Sequence, residues 1–165
     1  MSMLPEQKTS SKTCSKCGED KPLTDFHKNK VAKDGLTYHC KECMRERYYE
    51  FRQEKPERSI YHNMVNRSKS RGWDEPEWTP EDIRVKIEGC CEVTGLPFNL
   101  DFTPADHHCE KSAFKPSPDR IDNSKGYTKD NVRWVVWIFN MMRANFPDED
   151  IKVFVENLCK NEIDI

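Results

Sequence analysis

The alternation of apolar and polar positions breaks the chain into short helical and extended pieces rather than one long core. Strong helix formers fill residues 41–55 up to Pro56, and a second helical stretch runs over 57–71 before Gly72 can cap it. Thr79 offers an N-cap, Pro80 the first helical position, and Glu81 and Asp82 first-turn acids, while Ile83 and Ile87 supply an apolar face. That helix is expected to stop at Gly89. Residues 90–118 read as loop, punctuated by Gly95, Pro97, Pro104, Pro116 and Pro118. Next come a short strand over 119–122, a turn at Ser124-Lys125-Gly126, and a second strand in which Val132, Trp134 and Val136 alternate with Arg133, Val135 and Trp137. A helix over 138–145 follows, and a closing helix over 148–160 carries Ile151, Phe154, Val155 and Leu158 on one stripe, which predicts packing.

Composition sharpens this picture. Hydrophobic residues make up 35% of the 165 positions and charged residues 34%, with a mean hydropathy of -0.94. Apolar side chains are scarce for a core of this length, so something besides burial is expected to hold the fold. The longest apolar run, residues 134–139, is far short of the roughly 20 residues a membrane span needs, which excludes one. Residues 1–12 are polar with no apolar signal segment, so a reducing cytoplasm is the expected compartment. There, eight cysteines point to metal before disulfide. The net charge of -2 hides an asymmetry: residues 1–71 hold 16 basic against 10 acidic side chains, and residues 72–165 hold 11 against 19. A basic half suits a polyanion such as nucleic acid.

Two CxxC pairs, Cys14/Cys17 and Cys40/Cys43, stand 22 residues apart. Each can place two thiolates on one side of a tight turn, and together they complete a tetrahedral all-sulfur shell that suits structural Zn²⁺. Four thiolates leave no open coordination position, so this zinc is not catalytic. Phe26 and Leu36 can supply the few apolar contacts such a module needs, with His27 and His39 outside the ligand set. In Cys14-Ser15-Lys16-Cys17-Gly18, Lys21-Pro22-Leu23, Phe26, Lys30, Asp34-Gly35-Leu36 and Cys40-Lys41-Glu42-Cys43, the segment resembles the zinc-ribbon front ends of phage endonucleases similar to recombination endonuclease VII.

A second constellation lies at Ser117-Pro118-Asp119-Arg120-Ile121-Asp122, Lys125-Gly126-Tyr127, Asn131-Val132-Arg133 and Asn140-x-x-Arg143. An Asp ending one strand and an Asn early in the following helix can supply two oxygen ligands for one hard divalent cation, which suits phosphodiester hydrolysis. These residues, with Cys91-x-x-Thr94-Gly95-Leu96-Pro97-Phe98 ahead of them, resemble the phage branch of the HNH (His-Me finger, ββα-metal) endonucleases. The resemblance implies Asp119 and Asn140 as ligands of a catalytic Mg²⁺ or Mn²⁺, and Asn131 as the Asn that pins the loop between the strands. The family's usual general-base His is replaced by Arg120, which stays protonated and is expected to clamp the phosphate. The base must then come from elsewhere, with His107, His108, Tyr127 and Asp122 as candidates and His108 the one singled out.

Cys90, Cys91, Cys109 and Cys159 lack CxxC spacing; a second zinc built from Cys91, Cys109 and a histidine stands beside buried or free thiols as their reading. Trp134 shares a strand face with Val132 and Val136 and is expected in the core. The expected fold is α+β: a lead-in over 1–11, a four-cysteine zinc ribbon over 12–47, a basic helical connector over 48–78, and a ββα-metal nuclease domain with a C-terminal helix over 79–165. The expected function is metal-dependent DNA endonuclease, phage-encoded and acting in the host cytoplasm, with no nucleotide cofactor and with a homodimer as a possible state. The alternative is a catalytically inactive HNH-fold module that binds DNA or a protein. Lys16, Lys21, Lys28, Lys30, Arg45, Arg47, Arg52 and Arg67 are the expected phosphate contacts.

Overall fold

The structure, a computed structural model, describes residues 11–101 and 113–160, which form a mixed α+β chain of five helices and two small antiparallel sheets. It divides into two compact units, Met1–Glu50 and Phe51–Ile165. In the first, β1 (Ser11–Thr13) pairs antiparallel with β2 (Asp20–Pro22), Lys12 opposite Lys21. The chain turns between them at residues 14–18, where Gly18 takes a φ of 76° and donates its N–H to the Cys14 carbonyl at 2.8 Å. A single 3-10 turn, Leu23–Asp25, follows. α1 (Lys41–Glu54) starts directly after Cys40, which places Cys43 in its first turn. Cys14, Phe26, Cys40 and Cys43 are buried together with Leu36 packed against them, and this small cluster is the unit's core. Apolar contact on that scale cannot order a unit of this length unaided.

The second unit has a larger core. α2 (Pro56–Arg71) opens on proline and closes at Gly72, whose φ of 68° lets Trp73 donate its N–H back to the Ser68 carbonyl at 3.0 Å. α3 (Pro80–Ile87) is fixed by a capping box: Thr79 Oγ1 accepts from the Asp82 N–H and the Asp82 carboxylate accepts from the Thr79 N–H. Such a cap stabilises by about 1 kcal/mol. Ile83 and Ile87 then join Met64, Trp78, Tyr127, Val132 and Trp134 in the core, where Trp78 meets Trp134 edge to face with ring centres 5.3 Å apart.

β3 (Pro116–Arg120) starts three residues before the strand that the pattern predicts and ends two residues earlier. Pro116 and Pro118, read from sequence as loop, lie inside it. The strand pairs only with β4 (Val132–Val136) among the described residues, and a proline lacking an N–H is tolerated on such an edge. The register sets Asp119 opposite Arg133 and Arg120 opposite Val132. β4 is covered on both faces. Trp134 enters the main core, while Val135 and Val136 pack with Cys91, Phe139 and Ile151 in a second one, which explains an apolar run where one-sided burial would give strict alternation.

α4 (Trp137–Arg143) follows β4 without a loop, and α5 (Asp148–Lys160) closes the described chain. On α5 the apolar stripe does not pack as predicted: Ile151 is buried, but Phe154 and Val155 are exposed. Among the described residues no helix is long and apolar enough to cross a membrane.

Candidate functional site

The ribbon's four sulfur atoms lie within 4.8 Å of one another, and the group contains neither His27 nor His39. Backbone N–H groups donate to the sulfurs of this cage. The Cys40 N–H donates to Cys14 Sγ at 3.3 Å, the Lys16 N–H to the same sulfur at 3.4 Å, and the Cys43 N–H to Cys40 Sγ at 3.5 Å. Hydrogen bonds from the backbone of Cys17 and Cys40 hold the Cys14 thiol down at about 5, ready to ligate as thiolate, whereas burial pushes the Cys43 thiol up to about 12. Four sulfurs so gathered fit a tetrahedral zinc and could hold one, with no ligand position left for chemistry.

The ribbon's cations divide into two sets. Lys16 lies 3.4 Å from the Glu46 carboxylate and 3.6 Å from that of Glu50, and Lys21 lies 2.8 Å from Glu42, so neither expected phosphate contact is a free charge. Lys28, Lys30, Arg45 and Arg47 are exposed and form no ion pair among the described residues.

In the second unit, a buried side chain pins the loop joining β3 to β4. Asn131, buried, accepts from the Asp122 N–H at 2.8 Å and donates to the carbonyls of Asp122 at 3.1 Å and Gly126 at 2.9 Å. A carboxamide carries both a donor and an acceptor, which this double role requires. Gly126 lies so close to Trp73 that a Cβ there would stand 3.3 Å from the Trp73 Cβ. Arg120 turns into the same corner. Its Nη1 donates to the carbonyls of Asn123 at 2.8 Å and Lys125 at 2.9 Å, and its guanidinium lies 4.3 Å from the Trp73 ring centre and 5.5 Å from that of Tyr127. Burial pulls its pKa below the ordinary arginine value, yet a guanidinium remains a cation at neutral pH.

Asp119 points the other way, toward α4 and α5, and is 1% exposed. One carboxylate oxygen accepts from Arg133 Nε at 2.8 Å and the other from Arg143 Nη1 at 2.9 Å. Arg143 also donates to the carbonyls of Arg120 at 2.9 Å and Ile121 at 2.7 Å and, through Nε, to Asp148 at 2.9 Å. Arg133 closes the ring with its own bonds to Asp148. Two carboxylates and two guanidiniums thus neutralise one another and tie β3, β4, α4 and the first turn of α5 together. Sequence reasoning gave Arg133, Arg143 and Asp148 no role. The available signal was Arg143 three residues after Asn140, one helical turn along the same face.

Asn140, half-buried, donates to Ser117 Oγ at 2.8 Å and lines a cleft with residues of α2. Tyr127 is buried and its hydroxyl accepts from Arg67 at 3.4 Å. The Ser124 hydroxyl and N–H hold the Asp122 carboxyl below the usual carboxylate range. His107, His108 and Cys109 lie outside the described residues.

Does the Asp119/Asn140 donor set fit a hard divalent cation? As arranged, it does not. Both Asp119 oxygens accept from guanidiniums, and a divalent charge beside Arg133 and Arg143 would be repelled. The ion would enter only if a guanidinium left.

No family model matches the chain, and no curated protein matches it. Among solved structures it is similar to the rare-cutting HNH restriction endonuclease PacI, at 17% identity over 90% of this chain and 94% of that one, with a TM-score of 0.42.

Proposed function

We propose that the chain is a DNA endonuclease that hydrolyses phosphodiester bonds, with the hairpin and α4 as its cutting unit and the four-cysteine ribbon as a zinc-stabilised DNA-holding module. The observation that most supports this reading is the pinned hairpin, in which Asn131 fixes the loop and one strand–strand–helix unit carries Asp119, Arg120 and Asn140. Those residues form the signature through which the sequence resembles the HNH endonucleases.

In such a hydrolysis a water oxygen attacks phosphorus, the bond to the leaving oxygen breaks, and a base takes the water's proton. Asp122 is a weak base, because its carboxyl is held low, and Tyr127 is shut in the core. His107 and His108 remain the proposed source, with His108 first. Arg120 we assign to positioning, because it holds the loop carbonyls and stacks on Trp73 instead of extending toward a phosphate. Dependence on Mg²⁺ or Mn²⁺ belongs to the proposal and requires Arg133 or Arg143 to leave Asp119.

A second reading has its own support. With Asp119 sealed between two arginines, a non-catalytic module that binds DNA or a protein is consistent with the same fold. Supercoiled plasmid separates the two. The endonuclease reading expects nicked or linear product with Mn²⁺ and none with EDTA, and the ratio of the two products reports whether one copy or a pair does the cutting. Retained DNA binding with no product under either condition would replace it by the second reading.

A further inference from the structure

The cleft that Asn140 lines has a volume of about 270 Å³ and is walled by α2 on one side and by the start of β3 with α4 on the other. α2 presents Ser59, Asn63 and Arg67 to it, spaced four residues apart on one helical face. Arg52 joins from the last turn of α1, and Lys115, just before β3, comes from the opposite wall. Its described lining therefore holds three cations and no carboxylate.

Two of these cations are set up to receive an anion. Arg67 donates to a neutral phenol, Tyr127, and makes no ion pair among the described residues. The Lys115 ammonium lies 4.9 Å from the Trp137 ring centre, a contact that positions the charge without neutralising it. Burial, and behind it the positive charge of Arg52, pushes the Lys115 pKa down, as like charges gathered in a half-buried space must. Neutral donors complete the lining, with the side-chain amides of Asn63 and Asn140 at the same cleft. The space is far too small for a double helix. A tetrahedral phosphate with part of its sugar is the group of matching size and charge.

We infer that this cleft is a subsite for one backbone phosphate of DNA, gripped by Arg67 and Lys115 with Arg52 and Asn140 beside them. The inference rests on the endonuclease reading only for the placing of that phosphate next to the bond to be cut. It moves the phosphate-holding role from Arg120, which is occupied by loop carbonyls, to cations that lie outside the hairpin signature.

Binding measured without cleavage tests it. With zinc kept in the buffer and no Mg²⁺ or Mn²⁺ added, anisotropy of a labelled duplex is read across a salt series for the wild type, for Arg67→Ala with Lys115→Ala, and for Lys160→Ala as a surface control. The double variant is expected to bind at least about tenfold more weakly, with the slope of log affinity against log salt shallower by about 0.9, the loss of one neutralised phosphate. The control should match the wild type. Inorganic phosphate should compete with the wild type more strongly than with the double variant.

A folded double variant that binds with wild-type affinity and slope would overturn the subsite. Should that variant unfold, Lys115→Gln alone is read in the same way, with at least about a threefold loss expected and no loss counting against the inference. If the wild type binds through the cleft yet never nicks plasmid, the endonuclease reading falls and the subsite stands. Nicking with unchanged binding in the variants gives the reverse.

Discussion

The turns at Cys14 and Cys91 share one set of hydrogen bonds. Gly18 donates to the Cys14 carbonyl at 2.8 Å and Gly95 to the Cys91 carbonyl at 2.9 Å; Cys14 donates to the Glu19 carbonyl at 2.9 Å and Cys91 to the Leu96 carbonyl at 2.8 Å. Both glycines take a φ near 70°, and in each turn a backbone N–H reaches the first sulfur at 3.4 Å. The fourth position differs, Cys17 in one and Thr94 in the other. So do the surroundings. Cys14 meets three more sulfurs, whereas Cys91 is buried among Val135, Val136, Phe139 and Ile151. A cysteine knuckle is thus a backbone shape that either a metal or a hydrophobic core can hold closed, and the number of thiols brought together decides which. Among the described residues, the ribbon cysteines form the one group able to take zinc.

Denying the four ribbon cysteines an ion has the largest expected effect. Chelation, or Cys40→Ser, is expected to abolish amide protection across the ribbon, since structural zinc supplies about 10 kcal/mol or more of folding free energy. The Trp134 amide in the second unit should stay protected, as hydrogen exchange followed by NMR would show. Loss of protection in both units would mean that the second also depends on metal.

Next in size is the ion ring. Asp119→Asn leaves Arg133 and Arg143 facing a neutral group in a nearly closed space, and thermal unfolding should register a loss of about 3–5 kcal/mol. Cys91→Ala should cost the second unit about 1–2 kcal/mol, as for a small buried side chain, a loss read at the Trp134 amide and equal in added zinc and in chelator. A loss that grows when zinc is present would show that the second knuckle also holds metal.

The smallest effect is on acid stability. Arg133, bonded to Asp148, holds that carboxyl at about 2, below its ordinary 3.8. A depressed carboxylate stabilises above its unfolded value and loses the contribution as pH falls toward the folded one. Stability should therefore decline as pH falls from about 4 to about 2, and Asp148→Asn should flatten that part of the profile.

Legibility in the sequence followed the range of the interactions. The four cysteines could be found because spacing alone gathers them, and α3 because Thr79, Pro80 and Asp82 act within one turn. β3 began earlier than predicted because Pro116 and Pro118 signal loop, and only the one-sided pairing of the strand tolerates them. The α5 stripe marked an apolar face correctly but not its partner, since periodicity fixes a direction and not a neighbour. Asp119 was legible as a special residue. That Arg133 and Arg143 take its oxygens depended on strand register and on the approach of α4, and neither is local.

The most direct test of the central claim compares plasmid cleavage by the wild type and Asn140→Ala in Mn²⁺. The substitution removes a partly buried hydrogen bond to Ser117 and a long one, at 3.5 Å, to the Pro118 carbonyl, so stability should fall by only about 1–2 kcal/mol. The wild type is expected to cleave, and the folded variant to cleave at least about a hundredfold less. A variant that nicks as fast as the wild type would contradict that claim.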